Sequence, residues 1–236
     1  KKDLKKEIHP NDDVNMSQSS NDVIPTTINI SCVSMSKILS SAMDFLSIAI
    51  NEKANELSDI IKSGRTHLMD AVPISFEQEL LVWQEQVRAS KTNIEISCEE
   101  NSYLPIGGTA IGTGINSPKS FSKYVCSELN ILYKENKIKF KSLPIKGEMM
   151  SSQNHILSLS SGLTRYASTL FKIANDIRWM NSGPISGLSE ISLKPLQPGS
   201  SIMPGKINPV ISESIMMAVM QLNGNHSTIL QATSSG

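Results

Sequence analysis

The sequence predicts an all-α fold built from long helices. Apolar residues recur at steps of three and four over long stretches, a spacing that places them on one face of a helix. No stretch of any length alternates apolar and polar residues as a half-buried strand does. Segments rich in Gly, Ser, Pro and Asn separate the helical stretches, at residues 9–22, 63–74, 102–118 and 183–209. Polar loops between long helices are where a helical enzyme would keep its site.

The longest predicted helix runs from Pro25 to Ile61. Its 37 residues would extend about 55 Å. Pro25 suits the first turn, and Gly64 is expected to mark the end of the helix. Capping candidates precede the helix at Ser20, Asn21 and Asp22. The apolar stripe consists of Ile28, Cys32, Met35, Leu39, Met43, Leu46, Ile50, Ala54, Leu57 and Ile61.

Four further helices are predicted along the chain. They run from Phe76 to about Cys98, from Pro118 to about Tyr133, from His155 to Met180, and from about Pro209 onward. The last one carries an apolar stripe of Ile211, Ile215, Val219, Leu222, His226, Ile229 and Thr233. A helix as long as the first usually packs against other long helices. Because one chain contains so few, we expect its partners to come from other subunits.

Composition and charge exclude several classes of partner. The chain has 236 residues, of which 39% are hydrophobic, enough to bury a sizeable core. Its 22 basic residues balance 22 acidic ones, so no net field draws the protein to nucleic acid or to an anionic membrane surface. Any bound anion must therefore be held by a local site. Cys32, Cys98 and Cys126 have neither zinc-ligand nor disulfide spacing, and we expect buried thiols in a reducing compartment.

No stretch contains the roughly 18 to 20 continuous apolar residues of a membrane-spanning helix, and no apolar run follows the basic start at residues 1–6. We therefore expect a soluble cytoplasmic protein. A mitochondrial matrix location would require a transit peptide upstream of residue 1. The chain opens without Met and stops at Gly236 while an apolar helical pattern continues, which predicts an internal fragment of a longer protein.

The segment from Gly199 to Pro209 is the most informative part of the sequence. It combines the hydroxyls of Ser200 and Ser201, the cation of Lys206 and the amide of Asn208. Small residues at both ends permit movement, so such a loop could close over an anion. A flexible linker is the alternative, although linkers rarely contain Ile-Met-Pro followed by Lys and Asn. A phosphate-binding P-loop is excluded because five residues separate the two glycines, a proline lies between them, and Ile follows the lysine.

A second polar segment, residues 64–73, joins the first two helices. It places His67, which exchanges protons near neutral pH, beside the hydroxyl of Thr66 and the guanidinium of Arg65. A single loop histidine is by itself more often a cap or a surface residue. The segment alone therefore leaves both a catalytic and a surface role open for His67.

Two more segments carry polar or glycine-rich patterns. Residues 17–22 read Ser-Gln-Ser-Ser-Asn-Asp at the start of the long helix, where unpaired backbone N–H groups could bind a carboxylate. A polar N-cap without further function is the alternative. Residues 107–116 contain four glycines, but no strand precedes them and no βαβ pattern surrounds them, so nucleotide binding does not follow. We expect a tight backbone path there, against another subunit or a ligand.

Taken together, these segments resemble the fumarase/aspartase superfamily. Residues 199–209 match its pattern of Gly-Ser-Ser, any residue, Met-Pro, any residue, Lys, any residue, Asn, and the order and spacing of the other segments also fit. The resemblance covers essentially the whole chain. It implies a long-helix bundle whose central helices pack across subunits, a small dicarboxylate substrate, and a homotetramer with active sites shared between subunits.

Three details within the superfamily favour class II fumarate hydratase. His67 stands where aspartases usually have Gln, Gly205 where they usually have Ala, and residues 17–22 follow the fumarase form. Val210 favours aspartase weakly. The resemblance therefore implies a hydro-lyase that hydrates fumarate to malate reversibly, by anti addition or elimination of water through a carbanion, without metal or other cofactor. An ammonia-lyase acting on aspartate and a catalytically silent structural protein on this scaffold are the alternatives.

The resemblance assigns roles to positions in this sequence. Ser200 matches the base that takes the carbon-bound proton, His67 the acid/base histidine near the water, and Glu213 the carboxylate that orients the histidine. Lys206 and Asn208 match the cation and the donor that stabilise the dianionic intermediate. The residues that match contacts to the substrate carboxylates are Ser19, Ser20, Asn21, Thr66, Lys206 and Asn208. A second, peripheral anion site is implied at His9, Pro10, Asn11 and Asp12, and no residue is assigned to a metal.

The resemblance also implies domain boundaries and departures. Residues 1–21 correspond to the end of an N-terminal domain with the anion-binding loop, and residues 22–236 to an incomplete central helix bundle. A small C-terminal domain and an upstream Ser/Thr loop that contacts substrate are expected to be absent. Ile185 stands where the family usually has Arg, and Glu77 where it usually has Gly. We therefore expect the 236-residue chain to have little activity by itself.

Overall fold

The structure, a computed structural model, describes residues 7–135, 138–197, 202–203 and 205–235. The helices are α1 (Ser20–Glu56), α2 (Phe76–Glu100), α3 (Phe121–Leu132), α4 (Gly147–Ser151), α5 (Asn154–Met180) and α6 (Val210–Ser235). A π-helical turn at Pro10–Val14 precedes α1. Strands β1 (Ile61–Thr66) and β2 (Met69–Ser75) pair antiparallel, and β3 (Tyr103–Leu104) pairs parallel with β4 (Lys141–Ser142). The predicted all-α class of long helices is confirmed, with short sheets added.

The helix α2 begins at the predicted residue because a reciprocal capping box closes its N-terminus. Ser75 and Gln78 form a reciprocal capping box: the Gln78 N–H donates to Ser75 Oγ at 3.0 Å, and the Ser75 N–H donates to Gln78 Oε1 at 3.1 Å. The predicted starts of α5 and α6 lie within one residue of the observed ones. Local sequence signals therefore define these helices well.

The bounds predicted for the longest helix were wrong by about one turn at each end. The helix α1 starts at Ser20 rather than Pro25 and stops at Glu56, before a turn that leads into β1. Gly64 does not end it, because Gly64 lies inside β1. The step from Leu57 to Ile61 fits a helix in sequence, but Ile61 belongs to the strand and is 65% exposed. Its apolar side chain therefore extended the helical pattern falsely.

The hairpin of β1 and β2 contradicts the prediction that residues 61–75 contain no strand. The strand β2 is exposed along most of its length, and β1 alternates between exposed and half-buried positions over residues 61–64. Burial of one face is what imposes an alternating apolar pattern on a strand. The partly buried positions of β1 include the charged Lys62 and Arg65 rather than apolar residues, so the sequence carries no such alternation and the strands could not be recognised from it.

Contacts within the chain divide it into two compact units. The first contains residues 1–40, 94–159 and 229–236, and the second contains residues 41–93 and 160–228. The domain boundary predicted after residue 21 stays a prediction. The core of the first unit is formed by Val33, Cys98, Leu104, Ile106, Cys126, Ile138 and Phe140. The core of the second unit includes Met43, Ile50, Phe76, Leu80, Trp83, Val87, Ala167, Ile173, Ala174 and Met180.

The three cysteines are free thiols set into this packing. Cys98 and Cys126 are buried as predicted, whereas Cys32 is half-buried. Burial raises the pKa of all three thiols above the usual value. Each thiol is therefore protonated at neutral pH and acts as a small apolar side chain.

Besides apolar core residues such as Val33 and Met43, α1 buries several polar side chains and exposes several apolar ones. Its buried polar residues are Asp22, Thr26, Asn29 and Ser36. Its exposed apolar residues are Ile24, Ile28, Met35, Ile38, Phe45 and Ile48. The helix is also long and apolar enough to cross a membrane by length and composition, with a mean hydropathy of 1.3 over a stretch that is 22% buried. Core helices of soluble proteins satisfy the same criterion.

A buried polar network joins α1, the end of α2 and the start of α5 in the first unit. The Asn29 side chain donates to the Tyr103 carbonyl at 2.9 Å, and its Oδ1 lies 2.8 Å from His155 Nε2. The Asn101 side chain donates to the His155 carbonyl at 3.0 Å and to the Ser97 carbonyl at 2.8 Å. Burial lowers the pKa of His155 from 6.5 to about 4. The imidazole is therefore neutral in the folded protein at neutral pH.

The lowered pKa of His155 predicts that the free energy of unfolding decreases in mild acid. Below pH 6.5 the unfolded chain binds a proton at this histidine, whereas the folded protein does so only near pH 4, so folding becomes less favourable between these values. The free energy of unfolding should fall by on the order of 3 kcal/mol over this range. Urea denaturation at a series of pH values measures the change. His155→Gln should flatten the dependence and the exposed-site control His9→Gln should not; equal slopes in both variants would contradict this role.

Candidate functional site

His67 lies at the tip of the β1–β2 hairpin rather than in an irregular loop. Thr66 pairs with Met69, so His67 and Leu68 form a two-residue turn, with φ values of 54° and 61°. Turns of this kind prefer Asn and Gly because positive φ crowds a side chain. A histidine and a leucine in these positions therefore store backbone strain beside the candidate acid/base group, as is common at functional sites.

Gly64 allows the hairpin to bend just before this turn. The strand register shifts between Ser63 and Arg65, which marks a bulge at Gly64. A Cβ atom at Gly64 would lie 2.7 Å from the Val72 carbonyl oxygen, too close for any side chain. The glycine that was predicted to end a helix is instead required by the close approach of β2.

An ion cluster ties the hairpin to the segment that follows α5. Arg65 Nη1 and Nη2 donate to the two carboxylate oxygens of Glu190 at 3.0 and 2.7 Å. Lys62 Nζ lies 3.0 Å from the same carboxylate and also contacts Glu79. The cluster is largely buried: the side chains of Lys62, Glu190 and Arg65 are 6%, 13% and 19% exposed. Sequence reasoning missed Glu190, which is 125 residues from Arg65 and stands in no recognised motif.

The cluster shifts the pKa values of Glu190 and Arg65 so that the charged form of each is favoured. Burial alone would raise the pKa of Glu190, but the hydrogen bonds from Arg65 and Lys62 outweigh burial, and the net pKa is lowered. The hydrogen bond to Glu190 raises the pKa of Arg65. Because the folded-state pKa of the carboxylate lies below its unfolded value, its contribution to stability is complete above the unfolded value and is lost as pH falls through the folded one.

Lys206, Asn208 and Glu213 line one cavity of about 730 Å³ in the second unit. The backbone reaches α6 through a turn in which the Lys206 N–H donates to the Met203 carbonyl at 3.1 Å. Gly205 adopts a φ of 87°, a conformation that glycine takes without strain. Ser200, the predicted base, lies outside the described residues. Arg178 and Trp179 of α5 line the same cavity and were not identified from the sequence.

His67 and Glu213 line different cavities within the described part of this chain. His67 borders a cavity of about 450 Å³ that Lys62, Arg65 and Glu79 also line. Glu213 borders the larger cavity with Lys206. Asn175 and Trp179 of α5 line both. One chain therefore brings the predicted cation, donor and carboxylate to one cavity and the predicted histidine to another.

The start of α1 holds three of the predicted substrate contacts in the first unit. Asp22 is fully buried, and its carboxylate accepts hydrogen bonds from the N–H groups of Ser19, Gly107 and Thr109, each at 2.9 Å. The Asn21 side chain donates to the Ala110 carbonyl at 2.8 Å. The glycine-rich segment 107–116 was expected to follow a tight path against another subunit or a ligand. In this chain it packs on the first turn of α1.

This packing changes the expected chemistry of the helix start. The Ser19 N–H is bound by Asp22, and the Asn21 N–H donates to Ser19 Oγ at 3.2 Å. The expectation that the backbone N–H groups at this helix start are unpaired is wrong for these two, because side chains of the same turn accept their hydrogen bonds. The Ser20 hydroxyl and the Asn21 amide are exposed. Carboxylate binding by the side chains of Ser19, Ser20 and Asn21 stays a prediction.

The predicted second anion site forms a local turn. His9 Nδ1 accepts from the Asp12 N–H at 3.3 Å, and the His9 N–H donates to an Asp13 carboxylate oxygen at 2.9 Å. Pro10 and Asn11 lie in the same exposed π-helical turn. Thr66, the remaining predicted contact, is exposed at the end of β1. Ile185, which departs from the family pattern, is 95% exposed.

The described residues contain no obvious metal-binding site. Over residues 7–135, 138–197, 202–203 and 205–235, His, Cys, Asp and Glu side chains form no group of three or more that could hold a metal ion.

Comparison with known proteins identifies the family. A model of the lyase family matches residues 2–224, and this chain belongs to that family. A class II fumarate hydratase of Xylella fastidiosa is 45% identical over 233 residues, which cover 98% of this chain and 49% of the relative. The class II fumarate hydratase 2 of Pseudomonas aeruginosa is 46% identical over 230 residues, 97% of this chain and 50% of the relative.

Solved structures agree with the sequence comparison. A recombinant class II fumarase from Schistosoma mansoni superposes with a TM-score of 0.93 and 37% identity, covering 97% of this chain and 50% of that one. The resemblance to class II fumarate hydratases inferred from the motifs is therefore confirmed, as is the helical fold. The chain spans about half the length of the relatives it matches.

The buried carboxylate at the start of α1 predicts a strong effect of a small substitution. Asp22→Asn keeps the shape but replaces one acceptor oxygen by a donor, so at least one buried N–H loses its partner. The free energy of unfolding should fall by about 2–3 kcal/mol, measured by urea denaturation. Asp44→Asn, at an exposed ion pair with Lys91, should change it by less than about 1 kcal/mol. Equal effects of both substitutions would show that Asp22 has no special role.

Proposed function

We propose that the full-length protein containing this chain catalyses the reversible hydration of fumarate to malate. The observation that carries the proposal is the cavity lined by Lys206, Asn208 and Glu213, positions that match the family pattern, in a chain about 45% identical to class II fumarate hydratases. A cation and an amide donor in one cavity suit a dicarboxylate whose negative charge increases during the reaction. A cytoplasmic location is proposed with this activity.

Each proposed role follows from the chemistry of the reaction. The proton removed from malate lies next to a carboxylate and is very weakly acidic, so the dianionic intermediate needs fixed positive charge and donors. Lys206 and Asn208 supply them. Ser200 takes the carbon-bound proton once loop closure and nearby donors lower the pKa of its hydroxyl. His67 then protonates the departing hydroxyl, which leaves as water, and both steps reverse during hydration.

We further propose that each active site is shared between subunits. His67 and Glu213 of one chain line separate cavities, which supports a site in which the histidine of one subunit meets the carboxylate of another. The contacts to the substrate carboxylates from Ser19, Ser20, Asn21 and Thr66 complete the site. The distribution of these residues over a hairpin tip, a helix start and a loop supports a site formed by more than one chain.

The exposed apolar side chains of α1 and α6 support a homotetramer. The helix α1 exposes Ile24, Ile28, Met35, Ile38, Phe45 and Ile48, and so many exposed apolar side chains on one helix are unusual for a surface in water. Exposed apolar residues on α6 include Ile211, Met217, Met220 and Leu230. Helices of 37 and 26 residues provide long seams for packing against the same helices of other copies.

An assay with malate tests the proposed activity. The full-length protein should convert malate to fumarate, followed by the absorbance of the fumarate double bond. Aspartate should release no ammonia in a parallel reaction. Ammonia release without malate turnover would move the assignment to aspartase, and inactivity with both substrates would favour a structural protein on this scaffold.

Substitution of the two proposed proton-transfer groups should abolish most turnover. We expect Ser200→Ala and His67→Asn each to lower kcat by at least about a hundredfold, in line with loss of a general acid or base. Asn tolerates positive φ, so His67→Asn should preserve the hairpin turn. Leu68→Asn changes the neighbouring turn residue with the same backbone conformation and should retain most turnover. Normal turnover in either active-site variant would remove that residue from its role.

Mixing the two inactive variants tests the shared site. If Ser200 and His67 of one site come from different subunits, hybrids formed from equal amounts should contain about a quarter of sites with both groups intact. Activity should then reappear in the mixture. A mixture as inactive as its components, despite exchange of subunits, would place both residues of each site on one chain.

A further inference from the structure

The hairpin that carries His67 has little stabilisation of its own. An isolated two-stranded hairpin is marginally stable in water, and most side chains of β1 and β2 are exposed. The turn residues His67 and Leu68 add strain through their positive φ values. A defined position for His67 therefore requires an attachment elsewhere on the hairpin.

The segment that receives the hairpin is well anchored. The Glu190 and Ile191 N–H groups both donate to the Met180 carbonyl at the end of α5, at 2.8 and 3.1 Å. The Ser189 N–H donates to the Ser182 carbonyl at 2.7 Å, and the Leu193 N–H donates to Asn181 Oδ1 at 3.0 Å. Glu190 is thus held by its backbone on the end of a 27-residue helix. Ile191 and Leu193 of this segment line the same cavity as Lys206.

The contact between hairpin and segment has directional geometry. Arg65 stands two residues before His67 and binds both oxygens of Glu190 in a bidentate pair, which fixes orientation as well as distance. Lys62, three residues before Arg65 on the same strand, contacts the same carboxylate. A largely buried ion pair adds little net stability, because desolvation opposes the attraction. Its main effect here is to select one position of the hairpin tip.

We propose that Arg65 and Glu190 are positioning residues for His67 in the lyase reaction. The ion pair holds the histidine turn in register with the segment after α5, so that the imidazole meets the substrate at a fixed distance. The inference rests on the proposed function. A misplacement of about 1 Å at a proton-transfer group lowers turnover by on the order of tenfold to a hundredfold.

Glu190→Gln tests the proposal in the full-length protein. The substitution keeps the shape and removes the charge, and kcat should fall by on the order of tenfold to a hundredfold with a smaller change in KM. Arg65→Lys keeps the charge without the bidentate geometry and should lose less activity, which provides a second variant if Glu190→Gln fails to fold. Glu85→Gln, at an exposed ion pair with Arg88 on α2, is the matched control and should retain normal turnover.

Two further measurements separate positioning from a purely structural role. In the His67→Asn background, Glu190→Gln should cause no additional loss, because the pair acts through the histidine. Amide hydrogen exchange of residues 61–75 should become on the order of tenfold faster in Glu190→Gln, with other regions unchanged. An additional loss in the double variant, or faster exchange with normal turnover, would overturn the proposal.

The same experiments distinguish this inference from the proposed function. A wild-type protein that does not interconvert malate and fumarate contradicts the proposed function, and the exchange measurement then decides whether the pair holds the hairpin. An active wild type whose Glu190→Gln variant keeps normal turnover and exchange rates overturns the positioning role alone.

Discussion

In the first unit, the carboxylate of Asp22 holds the start of α1, which carries three of the predicted substrate contacts. It is fully buried, and three backbone N–H groups donate hydrogen bonds to it at 2.9 Å. Two of these groups belong to the glycine-rich segment, whose close path requires Gly107, where a Cβ atom would lie 2.4 Å from Ser122 Oγ. The segment and the first turn of α1 therefore form one arrangement, in which Ser20 is exposed and the Asn21 side chain donates to the Ala110 carbonyl.

In the second unit a polar turn is also held in place, but by a different kind of contact. There the polar turn belongs to a β-hairpin whose second strand is mostly exposed. A bidentate ion pair between residues that are 125 positions apart in sequence attaches this hairpin to the segment after α5. In both units a carboxylate from a distant part of the chain holds a polar turn in a defined place. The Asp22 site uses only backbone donors, whereas Glu190 uses Arg65 and Lys62.

The distribution of apolar surface supports the proposal that the active site is shared between subunits. Along α1 the buried positions include Asp22, Asn29 and Ser36, while Met35 and Phe45 are 63% and 76% exposed. A helix packed in this manner has its apolar face still to be covered. Proposed partner subunits would cover that face and would also bring His67 of one chain to the cavity of another. Assembly and catalysis would then depend on the same contacts.

The sequence by itself determined the long helices and the class of the protein. Helical periodicity, the Ser75–Gln78 capping box and the motif at residues 199–209 are local, so each can be recognised without knowledge of the fold. The predicted positions of Lys206, Asn208 and Glu213 share a cavity for the same reason, since they lie close together in sequence. Only the tertiary structure decided the exposed hairpin, the true end of α1, and the partners of Arg65 and Asp22. The contacts of Arg65 with Glu190 and of Asp22 with the glycine-rich segment join residues 85 or more positions apart, and the hairpin strands bury no apolar face, so neither arrangement leaves a periodic pattern in the sequence.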